Sequence, residues 1–185
     1  MSAAPPTGPF TPALDQAAAI VRREVTPSEL AVSYLQRIDR FNDVLNAYCI
    51  TTPELAERQA SETTSGPLSG VAVSIKDLVP MAGYPFTRGS RAFRDDVADT
   101  DAFAVARLKE AGCLILGKTT TAELGGRPVT DHGLHGAART PWNIEHPAGG
   151  SSGGAAAAIA AGLCALSHGS DGGGSVRILP RVAAW

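Results

Sequence analysis

The chain has 185 residues, 44% of them hydrophobic and 18% charged, with a formal net charge of −2. Those are globular values, so global disorder is excluded, and with no basic block nucleic acid is not an expected partner. One domain or part of one fits this length, and a domain of that size buries about 70% of its unfolded surface.

Three Thr-Pro pairs, Thr11-Pro12, Thr26-Pro27 and Thr52-Pro53, mark helix starts, because threonine caps and proline suits the first helical position. Thr26 and Glu29 also make a capping box, and Leu30, Tyr34, Leu35 and Ile38 follow on one helical stripe. The first 60 residues therefore read as helical. The N-terminal MSAAPPTGPFTP lacks a basic start and an apolar core, so no signal peptide is expected; no apolar run is long enough to span a membrane.

The character changes at Gly66-Pro67. GVAVSIKD reads as a buried strand, with Val71, Val73 and Ile75 on one face and Ala72, Ser74 and Lys76 on the other. Thr100 is the expected cap of a helix holding Val105 and Leu108 and ending at Gly112. CLIL (113–116) is a short strand, Ala155 to Ala161 a helix stopped by Gly162, and LCALS (163–167) another strand. Strand, helix, strand, helix, strand predicts an α/β layer with a mainly parallel sheet. Cys49, Cys113 and Cys164 are odd in number and widely spaced, which predicts buried thiols in a reducing cytoplasm, not disulfides or a metal site.

Several motifs carry chemistry. GCLILGKT fits the phosphate-loop pattern, but its variable residues are themselves the strand, so nucleotide binding is rejected. GGSSG fits the nucleophile elbow centred on Ser151, but PWNIEHPA before it is a poor strand, and His168 alone follows as a histidine. His132 and His135 form the histidine pair with ligand-like spacing, and metal binding is not expected. In GSDGGGSVR three glycines run into Ser175; such a turn can aim N–H groups at an anion or a developing oxyanion. Lys76, on a strand face with small neighbours, either snorkels or pairs with Asp77, or else is a desolvated lysine able to act as a base.

In chain order, GVAVSIKD, then GYPFTRGSRAF with DTDAFAVARLKEAGCLILGKTTTAELG, then PWNIEHPAGGSSGGAAAAIAAG with GSDGGGSVR resemble successive segments of the amidase signature family of serine hydrolases. The resemblance implies an α/β fold with a mixed, mainly parallel sheet flanked by helices. It implies a Ser–Ser–Lys triad: Ser175 as nucleophile, Ser151 as the bridging serine on a cis peptide bond, and Lys76 as base. It places an oxyanion hole at the backbone N–H groups of Gly172, Gly173, Gly174 and Ser175, with Ser152, Asp171 and Arg177 supporting the loop. It implies no cofactor and no metal, and a small-molecule amide substrate hydrolysed through an acyl-enzyme. Small carboxamides compete there with glutamine, as in the glutaminase-type component of the glutamyl-tRNA amidotransferase.

The chain also departs from the family pattern. VRILPRVAAW stands where the family reads close to IRIPA and continues through a second half, so the chain looks truncated at Trp185. His168 stands where a small apolar residue is usual, and Gly172 where a threonine is common. The expected division is an N-terminal helical segment over 1–65 and part of the α/β core over 66–185. A non-catalytic fragment is the alternative to an enzyme, and an open sheet edge would leave a homodimer open to it.

Overall fold

A computed structural model describes residues 7–62, 66–131 and 133–177. The readings placed on Leu179, Pro180 and Arg181, on His132 and on the first six residues lie outside the described residues. Helix α1 (Ala13–Val21) begins one residue beyond its expected signal, with Pro12 at the cap, while the Thr11 hydroxyl accepts the Gly8 N–H. Helix α2 (Pro27–Leu45) follows a complete Thr26/Glu29 capping box. Leu30, Tyr34 and Ile38 are buried and Leu35 packs beside them. Asn46 ends the helix in the left-handed region, at φ 48°, and its Nδ2 donates to the carbonyls of His135 and Ala137.

The segment expected to be wholly helical also supplies a strand, β1 (Tyr48–Thr51). Four residues with a register shift are too short to show a period of two. Helix α3 (Pro53–Ser61) starts at Pro53 as read, although the Thr52 hydroxyl donates to the Ile115 carbonyl instead of capping.

Strand β2 (Ala72–Lys76), helix α4 (Phe103–Glu110) and strand β3 (Leu114–Thr119) come next. Ala102, not Thr100, caps α4, because the residues before it are tied elsewhere: Asp101 accepts the Ala82 N–H, and Ala102 donates to the Pro80 carbonyl. β3 runs on through Gly117, Lys118 and Thr119, so the phosphate-loop match is strand from Leu114 onward. PWNIEHPA, read as a poor strand, holds β5 (Asn143–Pro147), paired antiparallel with β4 (Arg139–Thr140) outside the main sheet. Its prolines are tolerated because Pro141 lies between the two strands and Pro147 ends the second.

Helix α5 (Gly153–Ala160) leads to β6 (Leu166–His168). β6 starts later than LCALS because Gly162, at φ 62°, and Leu163 still donate to the carbonyls of Ile159 and Ala158, closing α5. Arg37 of α2 completes that closure, donating to the carbonyls of Ala161 and Gly162 at 2.8 and 2.9 Å.

The main sheet has the order β1-β3-β2-β6, with β2 parallel to both neighbours and β1 antiparallel to β3. Val73, Ile75 and Ile115 face Leu55 of α3 and Val105 of α4. Ala72 and Leu116 face Tyr34 and Ile38 of α2 and Ala157 and Ala158 of α5. Alternation then sends Ser74 and Lys76 to the α5 side with Ala72. The alanines let α5 come close: a Cβ on Gly154 would fall 2.5 Å from the Thr120 nitrogen, 2.6 Å from its carbonyl oxygen, and against the Ala47 carbonyl.

Gly154→Ala is therefore expected to lose about 1–3 kcal/mol of stability through overpacking against backbone that cannot yield. A lower urea midpoint at unchanged m-value is the measurement that checks it.

Candidate active site

Parallel strands bring their carboxyl ends to one rim of the sheet. Lys76 is the last residue of β2, and Ser170 and the 172–174 glycines follow β6. α5 returns the chain to the start of β6, so its own start, with Ser151 and Ser152, lies at that same rim. The two Gly/Ser turns of the sequence therefore meet.

Lys76 Nζ lies 2.8 Å from Ser151 Oγ, 2.7 Å from Ser152 Oγ and 2.9 Å from Ser170 Oγ. Ser175 Oγ is 3.3 Å from Ser151 Oγ and 2.8 Å from Ser152 Oγ, and it accepts the Ser152 backbone N–H at 2.8 Å. Lys76 is fully buried. Burial pulls its pKa from 10.5 down to about 8, and the charge of Asp171 opposes that only in part. The salt bridge to Asp77 is not made: Asp77 pairs with Lys118 and accepts the Thr87 hydroxyl.

Ser151 is held by its backbone. The Gly150–Ser151 peptide bond is cis, and the Ser151 carbonyl accepts from the Ala122 N–H and from the hydroxyls of Thr121 and Thr130 at 3.1, 3.1 and 3.3 Å. Ser152 sits at the cap of α5, yet its hydroxyl makes no capping bond. It is engaged with Lys76, Ser175 and the Ser170 carbonyl instead.

Asp171 winds the glycine loop around its carboxylate. It accepts the N–H groups of Gly174, Val176 and Arg177 and two guanidinium bonds from Arg177. The Arg177 bonds, then the Gly174 N–H, hold its carboxyl well below the usual carboxylate range. Of the four N–H groups expected at an oxyanion hole, that of Gly174 is directed at Asp171 Oδ1, at 2.6 Å. Beside Gly172 and Gly173 a Cβ would meet nothing within 4 Å. They border a cleft of about 340 Å³ that reaches Ser151, Ser175 and Arg127.

Sequence reasoning missed Ser170 and Arg127. The signal for Ser170 was its place between Gly169 and Asp171 in the turn already singled out. A second polar cluster lies on the other side of the sheet: ligating atoms of Cys49, Asp77 and His135 fall within 4.8 Å of one another. The Lys118 ammonium already balances Asp77 there. Burial lowers the His135 and His168 pKa values, and Lys76 adds to the effect on His168. All three cysteines are free, two buried and Cys49 half-buried.

The Amidase family model matches residues 29–179. The chain belongs to the amidase family. The acylamidase of Rhodococcus erythropolis is 43% identical over 174 residues, 90% of this chain and 36% of that protein. A component of the glutamyl-tRNA(Gln) amidotransferase of Syntrophobacter fumaroxidans is 39% identical over 165 residues, 85% of this chain and 34% of that one. The structure of 6-aminohexanoate cyclic dimer hydrolase complexed with substrate matches at a TM-score of 0.92 and 37% identity, over 96% of this chain and 37% of that one. This amidase chain thus spans little more than a third of the length of these relatives. Its mixed, mostly parallel sheet flanked by helices is that of its structural neighbours.

The Lys76 pKa links the site to stability. The folded value, about 8, lies below the 10.5 of an unburied lysine, so on raising the pH the folded state gives up this proton first. The stability of the parent relative to Lys76→Met is expected to rise as pH climbs from about 8 to about 10.5. The buried thiols of Cys113 and Cys164, pushed up to about 11 by burial, contribute the opposite slope, but to both proteins alike. Urea midpoints of the pair across that window check the sign.

Proposed function

We propose that the chain carries the acyl-transfer centre of an amide hydrolase. The observation that carries this reading is a buried lysine nitrogen 2.8 Å from Ser151 Oγ, which in turn lies 3.3 Å from Ser175 Oγ in the cleft. A serine hydroxyl is a weak nucleophile and needs a base beside it. A lysine with its pKa near 8 is partly neutral close to neutral pH, and so can accept a proton.

In this reading Ser175 Oγ attacks the amide carbonyl carbon. Its proton passes to Ser151 Oγ while the Ser151 proton passes to Lys76 Nζ. The carbonyl oxygen becomes an oxyanion, met by the N–H groups of Gly172, Gly173 and Ser175, since that of Gly174 is engaged with Asp171. The relay then reverses, the leaving amine takes the proton, the C–N bond breaks, and an acyl-enzyme remains. Water, deprotonated by the same relay, releases the acid. Ser152 is the supporting residue: its N–H holds Ser175 Oγ, and its hydroxyl is also committed to the Ser170 carbonyl. Arg177 acts through Asp171, keeping the glycine loop wound.

The proposed substrate is a small-molecule amide, a carboxamide or glutamine, and the chemistry needs no cofactor. Three free thiols support a cytoplasmic setting. A homodimer is the proposed assembly, supported by the outer edge of β6, which pairs with no other strand among the described residues.

Turnover of an aryl amide is expected from the purified chain. Lys76→Ala and Ser175→Ala should abolish it, and Ser151→Ala should lower kcat by about 10²–10⁴. The pH profile of kcat/KM should rise to a plateau with its midpoint near 8. A second reading, a fragment without catalysis, draws on the one-third span of relatives such as the Rhodococcus acylamidase. A thermal melt separates the two: a cooperative transition together with turnover supports the enzyme, and a melt without one supports the fragment.

A further inference from the structure

Among the described residues, those lining the cleft beside Ser175 are glycines, a proline and serines, with Arg127 the one charged side chain among them. A guanidinium stays protonated at any working pH and presents a planar fork that matches a carboxylate. Arg127 Nη1 contacts Asp131 Oδ1 at 3.2 Å, with the two side chains 45% and 28% exposed. Asp131 lines the neighbouring hollow with Arg91 and Glu123, so this contact tethers the guanidinium from outside the cleft. An ion pair so exposed is worth only about 0–1 kcal/mol, and it does not lock the fork away from a second anion. Gly125 and Gly126 precede Arg127 and put no side chain between it and Ser151; a Cβ on Gly125 would already stand 3.7 Å from Ser151 Oγ. Across the cleft, Gly172 and Gly173 leave open space.

We propose that Arg127 binds a carboxylate carried by the same molecule as the scissile amide. The substrate class is then small amides with an anionic second end, which a cleft of about 340 Å³ accommodates. This inference rests on the amide-hydrolase reading and assigns a specificity-determining residue within it.

The test compares two serine-directed probes, neutral benzenesulfonyl fluoride and anionic 4-(fluorosulfonyl)benzoate, on the full chain. In each, Ser175 Oγ forms a bond to sulfur, the S–F bond breaks, fluoride leaves, and the proton passes through Ser151 to Lys76. Each labelling rate is divided by the probe's hydrolysis rate in buffer. The anionic-to-neutral ratio is expected to be about tenfold higher in the parent than in Arg127→Gln, with Arg127→Lys between them. Circular dichroism confirms that the variants are folded, and Ser175→Ala must remove labelling by both probes. A ratio unchanged by Arg127→Gln overturns this inference and leaves the hydrolase reading standing. If neither probe labels Ser175, the hydrolase reading falls, and a benzoate titration followed by amide NMR decides the inference. Shifts at 125–127 and 172–173 that vanish in Arg127→Gln uphold carboxylate binding, and their absence overturns it.

Discussion

A lysine nitrogen shut away from water among three serine hydroxyls, with no carboxylate of the described residues against it, is the constraint around which the rest is arranged. Taking a charge out of water is costly, and a lysine so placed lowers its pKa. The nearest carboxylate in sequence, Asp77, would cancel that effect, and strand geometry prevents it. Successive side chains point to opposite faces, so Asp77 leaves the sheet on the side away from Lys76. On that side Lys118, whose register partner is Ile75, is waiting for it. Two buried lysines on neighbouring strands thus meet opposite fates, one ion-paired and one held among neutral hydroxyls. Removing one partner of the Asp77–Lys118 pair would strand a buried charge, a change of the kind that costs about 3–5 kcal/mol.

Helix α5 supplies the other half of the arrangement. Its start aims the Ser152 N–H at Ser175 Oγ, where the positive end of the helix dipole favours an oxygen gathering negative charge. Its far end is closed by Arg37 on the carbonyls of Ala161 and Gly162, the side-chain type that suits a C-terminus. The helix forgoes a side-chain cap, because the Ser152 hydroxyl is engaged with Lys76 and Ser175. A residue type chosen for local stability is here diverted to the site, the kind of local conflict expected where function overrides propensity.

What could be read from the sequence follows from how far each signal reaches. The α2 start was legible because Thr26, Pro27 and Glu29 act within one turn. β2 and the core of β3 were legible because buried apolar runs bounded by glycine leave few alternatives. Lys76, Ser151 and Ser175 were singled out by ordered motifs, and the structure brings them together. β1 and β5 were not legible: one owes its existence to pairing with β3, the other to β4, and neither carries an alternating pattern. The partners of Asp77 and Thr52 were hidden for the same reason, since Lys118 and Ile115 are far away in the chain and close only across the sheet. Ser170 and Arg127 lie in glycine-rich turns, where no period marks which side chain faces inward.

In the proposed reading, the segment after β3 joins fixity to selectivity. Thr121, Ala122 and Thr130 grip the Ser151 carbonyl, so the ends of this segment hold Ser151 in place. Between those grips the chain bulges outward through 125–128 to form one wall of the cleft. Gly125, at φ +68°, and the close approach of Gly150 to the Val129 backbone set how near that wall comes to Ser151. The clamp is made by backbone and threonine hydroxyls, and the wall presents Arg127. A side chain in the wall can therefore change without loosening the clamp, which, in the proposed reading, would let one stretch of chain keep the proton relay constant while the identity of the bound molecule varies.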